Sequence, residues 1–135
     1  MSTRRDFLKV SMIASAAAAS STIPSLVSAN TPAMLGIVYT KDNPGKWAKK
    51  VGGHAPIIKQ EGQKVTVTTK HSMSNEHFIV RHTLVLDDGT VVGTKTFSPS
   101  DSLAESMFEL PKGYTSKFFA TSFCNLHDFW LTESV

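Results

Sequence analysis

From residue 35 onward, hydrophobic and polar residues alternate in short segments that turn-forming residues separate. Residues 64–68 alternate strictly and place Val65 and Val67 on one face, which is the period of a half-buried strand. Residues 77–86 predict a longer strand whose shared face carries four apolar side chains: Phe78, Val80, Leu84 and Leu86. No helical period competes with this pattern, so the segment predicts β-structure.

The turns between these segments support the same prediction. Asp87-Asp88-Gly89 is a strong hairpin signal, with residues 90–97 as the returning strand and residues 98–101 as the next corner. Further short strands are predicted at 104–110, 115–123 and 129–132, while residues 30–50 predict a loop with one strand. The fold class is therefore all-β, an immunoglobulin-like antiparallel β-sandwich of about seven strands, with a small open barrel as the alternative.

The first 29 residues have a different composition from the rest of the chain. Residues 3–9 read Thr-Arg-Arg-Asp-Phe-Leu-Lys, and a weakly hydrophobic stretch follows and ends at Val27-Ser28-Ala29. This segment resembles a twin-arginine export signal with a signal-peptidase site. We therefore expect a signal peptide at residues 1–29, a single domain at residues 30–135, and a periplasmic or otherwise exported protein without a membrane span after signal removal.

Composition narrows the function classes. The chain has 135 residues, 41% of them hydrophobic, which suits one globular domain. Its net charge of +3 falls to +1 when Arg4, Arg5, Lys9 and Asp6 leave with the signal, and no basic stripe remains, so no nucleic-acid partner is expected. The chain has one cysteine and five histidines. A single cysteine excludes an intrachain disulfide and any site built on a Cys-x-x-Cys motif.

The cysteine and four of the histidines fall at or beside turns, where a rigid sandwich presents metal ligands. These candidates are His54, His71, His77, Cys124 and His127. Cys124 and His127 are the strongest pair, because a thiolate and an imidazole three residues apart can bind one metal, although this spacing does not identify the metal. His82 lies in the middle of a predicted strand, and we interpret it as a hydrogen-bonded core histidine.

Three segments together resemble the ligand segments of superoxide reductase, the family of desulfoferrodoxin and neelaredoxin. They are residues 54–56 (His-Ala-Pro), residues 70–79 (Lys-His-Ser-Met-Ser-Asn-Glu-His-Phe-Ile) and residues 124–130 (Cys-Asn-Leu-His-Asp-Phe-Trp). The corresponding family patterns are Glu-Lys-His-x-Pro, His-Pro-Met-x-x-x-His and Cys-Asn-x-His-Gly-x-Trp. The order of the three segments matches, and the resemblance extends from about Lys50 to Trp130.

The resemblance implies one mononuclear non-haem iron (Fe²⁺/Fe³⁺) per chain, with four imidazoles and an axial thiolate as ligands: His54, His71, His77, His127 and Cys124. It implies the reduction of superoxide to hydrogen peroxide. No rubredoxin-like Cys-x-x-Cys domain precedes this one, so a separate, unidentified electron donor is expected. We also expect the backbone N–H groups of Asn125 and Leu126 to face the Cys124 sulfur. The chain could form a homo-oligomer.

Three positions depart from the family patterns. Gly52-Gly53 replaces the Glu-Lys pair, Ser72 replaces proline, and Asp128 replaces glycine. The missing lysine would steer the superoxide anion and assist proton delivery. Lys50 or Lys49 could take over that role, since two glycines allow the loop to bend.

Two other functions fit parts of the pattern. A cupredoxin-like electron carrier also uses cysteine and histidine on a β-sandwich, but it usually has a methionine shortly after the second histidine, and here Trp130 and Leu131 follow His127. A β-sandwich metal or sulfur carrier, or an electron-transfer module without reductase activity, is the other alternative.

Overall fold

A computed structural model describes residues 36–135, so the predicted export signal at residues 1–29 lies outside the described residues. The described chain forms eight strands: β1 (Val38–Tyr39), β2 (Ile57–Glu61), β3 (Lys64–Thr69), β4 (Ile79–Leu86), β5 (Val91–Thr96), β6 (Ala104–Glu109), β7 (Phe118–Cys124) and β8 (Asp128–Glu133). A 3-10 helix at Gly45–Lys50 and one α-helical turn, α1 (Val51–His54), precede β2. Between residues 36 and 135, no helix has the length and apolar composition needed to cross a bilayer.

The strands form two sheets. A five-stranded sheet has the order β1-β8-β7-β4-β5, and a three-stranded sheet has the order β2-β3-β6. Neighbouring strands are antiparallel except β1 and β8, which pair in parallel at Val38–Phe129 and Tyr39–Trp130. A parallel pair needs a long connection, and most of the domain lies between these two strands in sequence. The all-β sandwich is thus confirmed, with eight strands where about seven were expected.

Strict alternation places the apolar core between the two sheets. Alternate residues are buried along both β3 and β7. The buried apolar residues form two clusters. The larger consists of Val65, Val67, Leu84, Leu86, Leu110, Phe118 and Ala120, and the smaller of Ile79, Phe97, Ala104 and Cys124. Removing this apolar surface from water is what holds the sheets together, which is why the alternating pattern predicts the core well.

β4 buries a different set of residues from the one that simple alternation predicts. Val80 is half-buried, whereas Ile79 is fully buried and His82 is buried four positions before Leu86. The pairing of β4 with β7 is irregular between Ile79 and Arg81, so that Val80 is an extra residue in the strand. Such a bulge shifts the alternation by one residue. The prediction for Val80 was therefore wrong.

The predicted hairpin at residues 87–89 is present. The Gly89 N–H donates to the Leu86 carbonyl (3.0 Å), and Gly89 has a φ of 88°, a left-handed value that favours glycine. The region before residue 50 contains the one expected strand, β1. The helical segment at residues 45–54, which follows β1, was not predicted, because each of its two pieces is too short to show a helical period.

Candidate metal centre

His54 reaches the site from the end of α1. Its side chain is buried, and its Nδ1–H donates a 2.9 Å hydrogen bond to the Lys50 carbonyl. Because a carbonyl can only accept, the proton is on Nδ1 and Nε2 presents a lone pair. This buried Nε2 has no hydrogen-bond partner within the described residues. Pro56 disfavours a helical conformation at Ala55, so the helix ends directly after His54.

The loop between β3 and β4 carries His71 and His77. Their Nε2 atoms lie 3.0 Å apart. Ser74 shapes the loop, since its backbone N–H donates to the His77 carbonyl (3.0 Å) and its hydroxyl accepts from the His77 N–H (3.1 Å). His71 is buried, and its Nδ1 has no hydrogen-bond partner among the described residues.

Cys124 ends β7 and His127 lies in the turn that follows, with Sγ of Cys124 3.5 Å from Nδ1 of His127. Burial raises the pKa of the Cys124 thiol, and hydrogen bonds from the backbone N–H groups of Leu126 and His127 act in the opposite direction. The expectation for Asn125 was wrong, because its N–H donates to the Phe78 carbonyl (3.2 Å) instead. The turn geometry directs the next two amides, not the first, towards the sulfur.

Asn125 has a structural role that the sequence did not reveal. Its side-chain amide donates to the Glu76 carbonyl (3.0 Å), and its Oδ1 accepts from the Phe78 N–H (3.0 Å). These bonds tie the loop that carries His77 to the turn that carries Cys124. The only signal in the sequence was the Asn that directly follows the cysteine in the family pattern.

Two tryptophans contact the site, and neither was predicted to shape it. The ring of Trp47 makes an edge contact with the ring of His127, with centroids 4.5 Å apart. Trp130 is fully buried, and its Nε1–H donates to the His127 carbonyl (3.1 Å). Both contacts restrict the position of His127.

The side chains converge on one point. Donor atoms of His54, His77, Cys124 and His127 all lie within 4.8 Å of one another. His77 Nε2 is 3.1 Å from His127 Nδ1. His71 is outside this group of four, although it contacts His77 through Nε2 and its ring centroid lies 4.6 Å from that of His54.

Burial is the first cause that keeps these imidazoles neutral. It lowers the pKa of His54 to about 4, and it also lowers the pKa values of His71, His77 and His127. Each ring is therefore neutral near pH 7, which is the form that binds metals.

A metal ion fits this donor set. Several ring nitrogens and a sulfur converge with more lone pairs than protons to share, and the Nε2 of His54 has no partner among the described residues. A cation would accept the lone pairs of these nitrogens and of the sulfur. Its charge would also favour the deprotonated form of Cys124, which burial disfavours. Imidazole and thiolate donors together suit transition metals and exclude a calcium or magnesium site.

The structure distinguishes between the two candidate lysines. Both side chains are exposed. Burial is the largest cause of the lowered pKa values of His77 and His127, and the positive charge of Lys50 lowers them further. The same charge opposes the rise that burial causes in the pKa of the Cys124 thiol. Lys49 has no such effect on these groups. The positive charge of Lys50 therefore contributes to the pKa values of the cluster.

The glycines that replace the family's Glu-Lys pair are not required by the backbone. Neither Gly52 nor Gly53 has a left-handed φ. A Cβ at Gly52 would meet nothing within 4 Å, and one at Gly53 would make an ordinary 3.4 Å contact with the Lys70 carbonyl. The backbone would therefore accept a Cβ at both positions without strain.

At Asp128, in contrast, the backbone conformation favours glycine although the sequence has a larger residue. Its φ is 55°, and it is the one non-glycine residue with positive φ among residues 36–135. This explains why the family pattern has glycine at this position, since a Cβ is strained in the left-handed region.

The comparisons with known proteins agree with this fold. In structure the chain is similar to the superoxide reductase (neelaredoxin) from Ignicoccus hospitalis, with 22% identity, a TM-score of 0.62, and coverage of 72% of this chain and 91% of that chain. It is also similar to the superoxide reductase from Nanoarchaeum equitans, with 23% identity, a TM-score of 0.57, and coverage of 73% and 98%. The superoxide reductase from Treponema pallidum matches with 25% identity, a TM-score of 0.53, and coverage of 63% and 69%.

No curated protein sequence matches the chain significantly. The sequence model of the family described as desulfoferrodoxin matches residues 45–133, which is more than half of the chain and includes all five candidate ligands. The chain belongs to the desulfoferrodoxin family.

Proposed function

We propose that this protein is a superoxide reductase that binds one iron ion per chain. The proposed ligands are the four residues of this converging group, His54, His77, Cys124 and His127, together with His71 beside it. One observation carries the proposal, namely that three imidazoles and the Cys124 sulfur place their donor atoms within 4.8 Å of one another on a desulfoferrodoxin-family fold.

The proposed reaction adds one electron and two protons to superoxide and yields hydrogen peroxide. Iron held by this donor set would supply the electron, and a separate donor would restore it. The protein's own residues prepare the site: burial keeps the imidazoles neutral, and the amides of Leu126 and His127 moderate the electron density on the Cys124 sulfur.

We assign Lys50 the role of attracting the superoxide anion and assisting proton delivery. Its charge contributes to the pKa shifts of four proposed ligands, His71, His77, Cys124 and His127, which supports this role for Lys50 over Lys49. Lys49 is one residue further from His54, and we propose it only as an additional positive charge for long-range attraction.

We further propose export through the twin-arginine route to the periplasm, on the basis of the Arg4-Arg5 motif. Replacing both arginines with lysine should retain the protein in the cytoplasm, as measured by cell fractionation. Unchanged export of this variant would refute the route.

Pulse-generated superoxide tests the activity most directly. The full chain loaded with Fe²⁺ should be oxidised at about 10⁸–10⁹ M⁻¹ s⁻¹, near the diffusional ceiling. The matched control is the same chain loaded with Zn²⁺, which has no redox chemistry and should not react. If the Fe²⁺ form is not oxidised, the enzyme assignment fails. Iron content and the ferric–thiolate absorption band would then decide separately whether the metal assignment survives.

A metal carrier or an electron-transfer module without reductase activity is the second candidate function. The observation in its favour is Gly52-Gly53, since the backbone would accept a Cβ at both positions and the sequence lacks the charged pair there. Under this alternative the bound metal would cycle between oxidation states with an artificial donor, while superoxide would leave the reduced form unchanged.

A further inference from the structure

His82 lies at the centre of a buried chain of hydrogen bonds that joins the two sheets. The side chain is fully buried. Its Nδ1 lies 2.8 Å from Oγ of Ser106, and its Nε2 lies 2.8 Å from Oγ1 of Thr69. Thr69 Oγ1 in turn lies 2.8 Å from Oγ of Ser122. We call these four residues the His82 network.

The His82 network can be satisfied in full by a neutral imidazole. One ring nitrogen donates and the other accepts, so a proton order that runs from Ser106 through His82 and Thr69 to Ser122 satisfies all three bonds, as does the reverse order. Burial lowers the pKa of His82 to about 4, which keeps the ring neutral in this role. The expectation of a hydrogen-bonded core histidine is confirmed.

Packing alone does not account for a histidine here. Leu84 and Leu86 follow on the same strand, are also buried, and fill the space between the sheets with apolar side chains. A buried imidazole loses its hydration and stabilises the fold little unless both nitrogens are bonded. The network therefore specifies the relative positions of four groups, which an apolar side chain would not do.

Two members of the network lie two residues before candidate ligands. Thr69 ends β3, and the His71 N–H donates directly to the Thr69 carbonyl (2.8 Å). Ser122 lies on the same buried face of β7 as Cys124 and pairs with His82 across the sheet. The network thus connects the strand end that carries His71, in one sheet, with the strand end that carries Cys124, in the other.

We propose that His82 is a positioning residue for the metal centre. Through the hydroxyls of Thr69 and Ser122, it sets the distance between the two strand ends, and so between the imidazole of His71 and the sulfur of Cys124. This inference rests on the proposed metal centre. It assigns His82 no contact with the metal or the substrate.

Two substitutions of His82 separate its two hydrogen bonds. In His82→Gln the side-chain amide reaches the place of Nε2 and can bond to Thr69, whereas in His82→Asn it reaches the place of Nδ1 and can bond only to Ser106. His82→Leu removes both bonds. Each full-length variant, freed of metal, is titrated with Co²⁺, whose absorption reports both affinity and thiolate ligation.

We expect His82→Leu and His82→Asn to bind Co²⁺ about tenfold more weakly, with a shifted thiolate-to-metal band. His82→Gln should keep the affinity and the band of the unchanged chain, because the bond to Thr69 is restored. The matched control is Leu84→Ala, which weakens the core on the same strand without touching the network. When each variant is measured the same number of degrees below its own unfolding temperature, Leu84→Ala should bind Co²⁺ with the affinity of the unchanged chain.

A second pair keeps the test decisive if His82→Leu does not fold. Thr69→Val removes the hydroxyl at nearly constant shape and should weaken Co²⁺ binding, whereas Thr69→Ser retains the hydroxyl and should not. The proposal is overturned if Thr69→Val binds Co²⁺ like the unchanged chain, or if Leu84→Ala weakens binding as much as the His82 variants. Failure of the unchanged chain to bind Co²⁺ would instead refute the metal centre itself.

Discussion

The two ends of β4 and β7 differ sharply, although the strands are neighbours along their whole length. At one end Leu86 pairs with Phe118 and Leu84 with Ala120, and all four side chains belong to the apolar core. At the other end the buried side chains are mixed: His82 and Ser122 are polar, Ile79 is apolar, and β7 finishes at the candidate ligand Cys124. One pair of strands therefore serves two different chemical environments.

The apolar end requires only burial, and any set of well-fitting apolar side chains would satisfy it. The end that carries Cys124, which we call the metal end, requires specific partners. Each buried nitrogen or hydroxyl there must form a hydrogen bond or bind a metal. His54 and His71 each retain a buried nitrogen without a hydrogen-bond partner among the described residues. The larger apolar core and the candidate metal site therefore occupy different halves of the same strands.

Loss of the sulfur should have the largest effect at the metal end. Cys124→Ala removes the one thiolate and should weaken Co²⁺ or Fe²⁺ binding by at least about a hundredfold. It should also abolish the thiolate absorption band, while the apolar core keeps the chain folded. Absorption spectra and circular dichroism of the same sample check both statements. A surviving thiolate band would contradict the assignment of Cys124.

The apolar end should show the reverse behaviour. Leu84→Ala leaves a cavity in the core and should lower the free energy of unfolding by about 2–5 kcal/mol. The affinity for Co²⁺ should not change while the chain is folded. Urea unfolding followed by metal titration measures both. An equal loss of stability in Cys124→Ala and Leu84→Ala would break the distinction between the two ends.

Acid should destabilise the metal-free protein through the metal end. Burial lowers the pKa values of His54 and His82 to about 4 from the ordinary 6.5. Their neutral forms therefore favour the fold fully above pH 6.5, and this contribution is lost as the pH falls towards 4. Urea midpoints between pH 7.5 and 4.5 should decrease with acid. In His82→Gln the urea midpoint should decrease less with acid, because one of the two histidines is gone. A midpoint that does not change with pH in the unchanged chain would contradict the expectation.

Lys50 should affect rate more than stability. Lys50→Ala should slow the oxidation of the Fe²⁺ form by superoxide about tenfold at low salt, because the anion loses electrostatic attraction. The difference should shrink at high ionic strength, where screening acts on both forms. Lys49→Ala is the matched control and should change the rate less. Equal rates for Lys50→Ala and the unchanged chain at low salt would remove Lys50 from the mechanism.

Asp128 should give the smallest effect. Asp128→Gly relieves a positive φ and should raise the free energy of unfolding by about 0.5–1 kcal/mol, after the entropy that glycine adds to the unfolded chain. Asp128→Ala also removes the carboxylate but keeps a Cβ, so it should not stabilise the fold. Urea midpoints at neutral pH compare the three proteins.

Most of the sandwich could be predicted from the sequence because alternation in β3 and β7 reports burial directly. The bulge at Val80 could not, since an extra residue in a strand depends on how β7 pairs with it. The helical segment at residues 45–54 was also missed, because it is stabilised by the loop and site around it and not by an apolar periodicity of its own.

The candidate ligands were predictable as residue types, but the connections between them were not. Turns and spacing identified the five side chains, and the family resemblance assigned them to one site. The amides that face the Cys124 sulfur, and the bonds of Asn125 to Glu76 and Phe78, depend on the path of the backbone in three dimensions. Residues 1–29 lie outside the described residues, so the export signal stays a prediction.

The sequence by itself determined the all-β fold, the family and the candidate metal-binding side chains, because periodicity, turn residues and motif order are properties of the linear chain. Only the tertiary structure decided which nitrogen atoms converge and showed that the charge of Lys50 contributes to the pKa values of the cluster. It also showed that His82 joins the strands of His71 and Cys124. These properties depend on distances between residues far apart in sequence, which only the packing of the two sheets sets.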